Sequence, residues 1–132
     1  MDRDLRLGFQ GENKVLKYLQ DNINSEIKKI DEIFHQYDFT DGSTLYELKT
    51  RRCNHNKYPD TMIGRNKVQY AYDNPNKKFV FLFNFNDGLY RHDFNPELNY
   101  ICREGGRRDR GKDEIKPYIF IPINHLSFVC NL

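Results

Sequence analysis

The hydrophobic positions near the start of the chain repeat with the spacing of an α-helix. A stripe of apolar residues recurs every three or four positions and predicts a helix over about 3–22. Glu12 falls on this stripe, between Phe9 and Leu16, so one carboxylate is predicted to face the way the core residues face. The apolar members of the stripe are Phe9, Val15, Leu16, Leu19 and Ile23.

Shorter apolar and amphipathic runs follow, and their spacing is that of β-strands. The pattern predicts one strand over about 29–39 and a returning strand over about 44–51. Asp41-Gly42 lies between them and is a strong hairpin-turn signal, because both residue types accept the backbone conformations of tight turns. Residues 53–60 are mostly polar and predict a loop.

The middle of the chain predicts a second helix and a buried strand. The helix is expected over about 61–73 and should end before Asn74-Pro75, because the residue before a proline disfavours helix. The run FVFLF at 79–83 is unbroken and apolar, as in a central strand covered on both faces. Further strands are predicted at 89–94, around Tyr100 and at 118–123, with a polar loop over 103–116.

This order of elements predicts the fold class. A helix, a hairpin, a helix, a buried strand and then more strands favour an α/β or α+β protein, with a central mixed β-sheet flanked by helices. A chain of 132 residues is long enough for one compact domain and short for two. We therefore expect residues 1–132 to form a single domain.

Composition bears on the cellular location of the protein and on the partners and cofactors to be expected. Charged residues make up 30% of the chain but sum to only +2, so the total charge identifies no partner. The three cysteines lie far apart without zinc-ligand spacing, and there is no apolar leader, which together favour a reducing, intracellular location. No apolar run reaches the roughly 20 residues of a membrane span, and no GxxxxGK[ST] motif occurs. Neither a membrane nor a nucleotide cofactor is expected.

Three carboxylates and one amine are predicted to converge at the hairpin. Side chains alternate along a strand, so Glu47 and Lys49 share a face with Leu45. Asp38 lies close to Glu47 across the turn, and Glu12 points inward from the first helix. Taken singly, these residues also fit a turn cap or a solvated cross-strand pair, and those alternatives remain open.

Carboxylates gathered in this way favour a hard divalent cation. Like charges raise each other's pKa, and a cation removes that penalty. Mg²⁺ prefers oxygen ligands and keeps several waters, and Mn²⁺ can substitute for it. Such a metal acidifies a bound water and offsets charge on a phosphate, and Lys49 would orient the water or bind the phosphate. Asp41 is a rival first acid, but its Asp-Gly context fits the turn itself.

The stretch from Asp38 to Lys49 resembles the core motif of the PD-(D/E)XK nuclease superfamily. Asp38 matches the first acid, Glu47-Leu48-Lys49 matches the ExK element, and Glu12 in GFQGENKVLKYL is similar to the acid on that superfamily's first helix. The resemblance implies a restriction-endonuclease-like core and metal-dependent hydrolysis of phosphodiester bonds. It gives catalytic roles to Glu12, Asp38, Glu47 and Lys49, and it places Glu12, Asp38, Glu47 and Leu48 at the metal.

Basic residues interleaved with an aromatic follow the motif. This combination suits contact with a phosphate backbone and a stacked base, so we expect nucleic acid as the partner. The basic cluster at 107–112 is a second candidate for backbone contact, although such runs are more often solvated loops. The candidate nucleic-acid-binding residues are Arg51, Arg52, Lys57, Tyr58, Arg65 and Lys67.

The hypothesis from sequence is a small Mg²⁺-dependent DNA endonuclease. One domain of this size offers a limited binding surface, which favours a homodimer for cutting two strands. Three alternatives stay open. They are an endonuclease that acts on RNA, a non-catalytic nucleic-acid-binding protein on the same fold, and a structural or partner-binding protein.

Overall fold

The computed structural model describes residues 3–32, 35–105 and 116–132, with side chains from Gly11 onwards within those ranges. The elements it contains there follow one another in this order: α1 Arg3–Asn22, β1 Lys28–Lys29, β2 Phe39–Thr40, β3 Thr44–Thr50, β4 Asp60–Gly64, α2 Arg65–Asp73, β5 Lys78–Phe85, β6 Gly88–Asp93, β7 Ile101–Gly105, β8 Lys116–Pro122, a 3₁₀ turn Ile123–His125 and β9 Ser127–Cys130.

A six-stranded mixed sheet forms the centre of the protein, in the order β1-β2-β3-β5-β6-β9. The pair β3 and β5 is parallel, with Glu47 opposite Phe81, and the other pairs of this sheet are antiparallel. Parallel neighbours need a crossover connection, and the chain between β3 and β5 supplies one that contains β4 and α2. The predicted α+β architecture with a central mixed sheet is confirmed.

A second, three-stranded antiparallel sheet has the order β4-β8-β7. In it Ile63 pairs with Ile119, and both side chains are buried. This small sheet and α2 cover one face of the large sheet, because Ile63, Ile119 and the α2 residue Val68 join one hydrophobic cluster with the phenylalanines of β5. The crossover is therefore a packed layer rather than a loose connection.

Two hydrophobic cores lie on opposite faces of the large sheet. Alternation along β5 sends Phe81 and Phe83 to the side of α2, and Val80 and Leu82 to the side of α1. FVFLF is thus a central strand covered on both faces, as its unbroken apolar sequence predicts. Helix α1 packs on its face through Val15 and Leu19.

Two predicted elements are wrong in their extent. The long strand over 29–39 is absent, because only its ends pair: Lys28 lies opposite Thr40 and Lys29 opposite Phe39. The second helix begins at Arg65 rather than at 61, because the residues before it form β4 and pair with β8. Both errors come from pairing that the local pattern of side chains does not determine.

Other departures are smaller. Ile23 is 47% exposed instead of contributing to the core, since α1 ends one residue before it. The predicted loop over 103–116 loses its ends to β7 and β8, and its central part, including the basic cluster at 107–112, lies outside the described residues. The last strand, β9, falls in a segment for which no strand was predicted. The side chain of Phe9 also lies outside the described residues.

Within the described part of the chain, no helix has both the length and the apolar content to cross a membrane.

Candidate active site

Strand β3 places Glu47 and Lys49 on the face of the large sheet that α2 covers. Glu47 is opposite Phe81 and Lys49 opposite Phe83 in the parallel ladder, and Leu45 of the same face belongs to the hydrophobic core on the α2 side. The carboxylate of Glu47 is therefore held at a position where neighbouring residues are apolar. The shared face predicted for Glu47 and Lys49 is confirmed by this register.

Backbone and side-chain hydrogen bonds fix Asp38 beside β3. Its N–H donates to the carbonyl of Tyr46 at 2.9 Å, and its own carbonyl accepts from the N–H of Ile30 at 2.8 Å. Its carboxylate Oδ2 accepts a third bond, from the N–H of Leu48, at 2.8 Å. Asp38 is thus tied to the residues on either side of Glu47 and lies close enough to raise the pKa of that carboxyl.

Glu47 is a buried carboxylic acid with a strongly shifted pKa. It is 4% exposed, and the pKa of its carboxyl is raised to about 7, first by burial and then by the negative charge of Asp38. The positive charges of Lys49 and Lys67 oppose this shift without cancelling it. Burial of a charge is unfavourable unless opposite charges or hydrogen bonds compensate it, so this position is not explained by folding alone.

Two lysines from different elements flank the Glu47 carboxylate. Lys49 Nζ lies 3.4 Å from Oε1, and Lys67 Nζ of α2 lies 3.5 Å from Oε2. Their settings differ, because the Lys49 side chain is 37% exposed and the Lys67 side chain only 17%. Lys49 is open to an incoming ligand, and Lys67 is enclosed.

Lys67 is held by the segment that leads into Asp38. Its Nζ donates to the carbonyl of Gln36 and lies 5.8 Å from the centre of the Tyr37 ring. The hydroxyl of Tyr37 in turn donates to the carbonyl of Lys67 at 2.6 Å. Tyr37 is buried, and burial followed by the charge of Glu47 raises the pKa of its hydroxyl. Helix α2 and the Asp38 segment are locked together at this point.

The third predicted acid, Glu12, is paired elsewhere. Its Oε1 lies 3.4 Å from Nζ of Lys29, the residue opposite Phe39 in the sheet. The neighbouring Gly11 approaches Asn84 near the carboxyl end of β5, so this part of α1 lies at the same end of the sheet as Lys49. Among the described residues, no group of three or more His, Cys, Asp and Glu side chains is arranged to hold a metal ion. The place of Glu12 in a metal site stays a prediction.

The chemistry of the Glu47 environment fits a hard cation. Among the described side chains, two buried oxygens lack a hydrogen-bond partner, and they are Glu47 Oε2 and Gln36 Oε1. The contact from Lys67 to Oε2 is an ion pair at 3.5 Å rather than a hydrogen bond. Asp38 and Glu47 could hold Mg²⁺ through carboxylate oxygens, while Leu48 has only its backbone to offer.

Both carboxylate oxygens of Asp41, the rival first acid, accept hydrogen bonds at or near the hairpin turn. Its Oδ1 accepts from the N–H groups of Ser43 and Thr44 at 3.0 and 2.8 Å, and Asn24 donates to its Oδ2 at 3.1 Å. Although partial burial acts in the opposite direction, these hydrogen bonds leave its pKa lowered. Asp41 is therefore a turn residue, and Asp38 is the acid that meets Glu47.

The predicted nucleic-acid-binding residues occupy three kinds of position. Lys67 points into the acid pair, as described above. Arg51 is half-buried and braces β4, because its Nη2 donates to the carbonyl of Met62 at 2.5 Å. The remaining four are exposed and follow β3 or begin α2: Arg52, Lys57, Tyr58 and Arg65.

Two features of this region escaped prediction from sequence. One is Gln36, which nothing in the local pattern marks. Its backbone carbonyl accepts from Lys67, and its buried amide oxygen has no hydrogen-bond partner among the described residues. The other is the pair of His55 with Asp87, whose Nδ1 and Oδ2 atoms are 2.5 Å apart. Asp87 lies between β5 and β6, far along the chain from His55, and only the fold brings the two side chains together.

A comparison with protein families gives one match that spans most of the chain. The model of a family described as phage putative PDDEXK endonuclease matches residues 9–129. The matched span contains every acid and lysine of the site described above. Searches of curated proteins and of solved structures gave no match.

Proposed function

This chain belongs to the phage putative PDDEXK endonuclease family, and from that premise we propose that it is a metal-dependent endonuclease acting on DNA. The observation that carries the proposal is the acid pair formed by buried Glu47 and half-buried Asp38. Glu47 is almost fully enclosed beside Asp38, and one of its oxygens has no hydrogen-bond partner. A protein that only bound phosphate would gain nothing from two carboxylates placed next to a polyanion.

In the proposed mechanism, Asp38 and Glu47 would hold Mg²⁺ through their carboxylates. A cation bound there would supply acidification of a water molecule and compensation of the negative charge on the phosphate. The hydrogen bond from the Leu48 N–H fixes the Oδ2 atom of Asp38, and the Oδ1 atom of the same carboxylate would be the one offered to a cation. Glu12 would become a third carboxylate ligand if its side chain left Lys29 and turned to the cation.

Lys49 is assigned the role of the catalytic amine. It lies 3.4 Å from Glu47 and is more exposed than Lys67, so it can reach both an attacking water and a phosphate oxygen. Lys67 is a positioning residue in this scheme. It acts through Glu47, whose carboxylate it orients from the helix side, and through the carbonyl of Gln36.

The substrate would be held by exposed basic residues in the loop after β3 and at the start of α2. Arg52, Lys57 and Arg65 are exposed and can neutralise phosphates on either side of the cleaved bond. Deoxyribose or ribose is not distinguished by these contacts, so RNA is tested beside DNA. A homodimer would place two such sites on one duplex. Light scattering with and without DNA measures the oligomeric state.

The decisive test compares wild type with Lys49→Ala and Glu47→Ala on branched, duplex and single-stranded DNA and on RNA, with Mg²⁺ and with Mn²⁺. Wild type is expected to cut, and both variants are expected to fold and to lose cleavage. Lys17→Ala is the matched control, because Lys17 is an exposed lysine of α1 that pairs with Asp21 in a surface contact. Cleavage by Lys49→Ala at the wild-type rate would refute the role of that amine. Binding without cleavage, under both metals, would favour the non-catalytic alternative.

A further inference from the structure

A cavity opens where β3 ends, next to the proposed active site. Its volume is about 690 Å³, and its wall runs from Thr50 and Arg51 through the loop after β3 to Thr61 and Met62 of β4. Arg51 continues the pairing of β3, since its N–H donates to the carbonyl of Asn84 at 2.9 Å. Arg51 is two residues beyond Lys49, on the same face and therefore about 7 Å farther along the strand. The cavity thus begins roughly one nucleotide away from the catalytic amine.

The wall of the cavity combines flat apolar rings with cations. Phe85, Phe120 and Tyr58 contribute aromatic surface, and Tyr58 is 57% exposed. Arg51 and Arg52 are the cations of this wall. Beside the wall, Lys57 Nζ lies 5.5 Å from the centre of the Tyr58 ring. Rings that stack and cations that neutralise phosphate are the two elements of single-strand recognition.

A histidine on the same wall is fixed in orientation. The backbone N–H of His55 donates to Asp87 Oδ1 at 2.9 Å, and its Nδ1 lies 2.5 Å from Oδ2 of the same carboxylate. The hydrogen bond with His55 is the main cause of the lowered pKa of Asp87. The face of the imidazole ring stacks on the ring of Tyr90, with ring centres 4.6 Å apart. Among the described residues, Nε2 of His55 has no hydrogen-bond partner, so this edge of the ring is available to a ligand.

We propose that this cavity binds one unpaired nucleotide of the substrate, adjacent to the phosphate that is cut. The base would stack on Tyr58, and His55 Nε2 and the guanidinium of Arg51 would face its polar edge or its phosphate. Bases inside a duplex are stacked and cannot enter such a cavity without leaving the helix. The substrate is therefore a strand with an unpaired segment, such as a single strand, a flap or a branch point. This inference rests on the proposed function for the position of the cut bond.

The test measures binding apart from cleavage. The full chain carrying Glu47→Gln, without added metal, is titrated against a short single-stranded DNA that contains the fluorescent base 2-aminopurine and against the same sequence fully paired. Quenching of the probe and tighter binding are expected for the single strand. Adding Tyr58→Ala should weaken single-strand binding by at least about fivefold, since stacking on an aromatic ring contributes about 1–3 kcal/mol per base.

Tyr72→Ala is the matched control, because Tyr72 is another exposed tyrosine, 41% exposed, that lines a different cavity with Lys77 and Lys78. It should leave both affinity and quenching unchanged. Equal losses for the two tyrosine variants, or equal affinity for duplex and single strand, would overturn the proposal. If the cavity binds a single strand as described but the wild type cuts nothing, the proposed function fails and the binding site stands.

Discussion

The two faces of β3 bury residues of different chemical character. On the side of α1, Tyr46 is buried among apolar residues and Leu48 packs against the same cluster, as the hydrophobic effect requires. On the side of α2, Leu45 is followed by Glu47, which is as buried as Tyr46 but is an acid. The first face serves the stability of the fold. The second gives up stability at one position, and such positions are where functional groups are found.

The two faces therefore predict opposite results for mutation. A change on the α1 face should harm folding and leave the chemistry of the folded fraction alone. A change at Glu47 should leave folding intact or improve it and remove the chemistry. A protein in which both faces responded alike would not have the division of labour inferred here.

Glu47→Gln is expected to give the largest effect. It keeps the shape of the side chain and removes the charge that holds the metal, so cleavage should fall roughly 10³-fold, as expected when several kcal/mol of metal assistance is lost. Thermal unfolding of the metal-free variant should occur at or above the wild-type temperature at neutral pH. The reference is the rate of wild-type cleavage measured in parallel. A Glu47→Gln rate within about twofold of it would show that Glu47 is not a metal ligand.

Leu82→Ala probes the opposite face. Leu82 is 1% exposed and packs with α1 residues, so truncation should lower the free energy of unfolding by about 2–5 kcal/mol. Urea denaturation measures this loss. The rate of cleavage per folded molecule, corrected by the fraction folded at the assay temperature, should stay near the wild-type value. A large loss of this corrected rate would mean that the two faces are coupled.

The pH dependence of stability isolates the buried acid. The pKa of Glu47 is about 7 in the folded protein against 4.5 for an ordinary glutamate, so between these values the folded state holds a proton that the unfolded state has lost. Stability of the metal-free protein should therefore fall as pH rises from 4.5 to 7, by up to about 3 kcal/mol, and then level off. Urea titrations of wild type and Glu47→Gln at matched pH values give the difference. Parallel curves for the two proteins would contradict the burial argument.

Lys67→Met should produce a smaller shift in the same property. Lys67 lowers the pKa of Glu47, so its removal should raise that pKa further. The carboxyl carbon of Glu47, followed by NMR in the metal-free protein, should titrate at a higher pH in the variant. Lys57→Met is the control and should leave the titration in place, because Lys57 lies in the loop beyond β3. A titration unchanged in Lys67→Met would place the amine outside the site.

The comparison also shows how far the sequence could lead. Helix α1, the turn at Asp41 and the central strand β5 are encoded locally, by a helical stripe, by an Asp-Gly pair and by an unbroken apolar run, and they were predicted. Strand β4 was not, because it is short and its partner β8 lies far along the chain. Long-range pairing overrides the local pattern at such positions.

The candidate site divides in the same way. The meeting of Asp38 with Glu47 follows from the turn and from alternation along β3, which are local rules. The enclosure of Lys67 depends on how α2 packs on the sheet, and the local pattern marks this lysine only as one of several candidate nucleic-acid-binding residues. The pairing of Glu12 with Lys29 depends on β1, a strand of two residues that is too short to be predicted from a sequence pattern.

Direct binding of Mn²⁺ to the metal-free protein tests the central claim, that Asp38 and Glu47 together hold a divalent cation. Isothermal titration calorimetry at a pH above the raised pKa of Glu47 would compare wild type, Glu47→Gln and Asp38→Asn. We predict saturable binding by wild type and an affinity at least about tenfold weaker in each variant, since each loses a charged oxygen ligand. Equal binding by all three proteins, or none by wild type, would contradict the account.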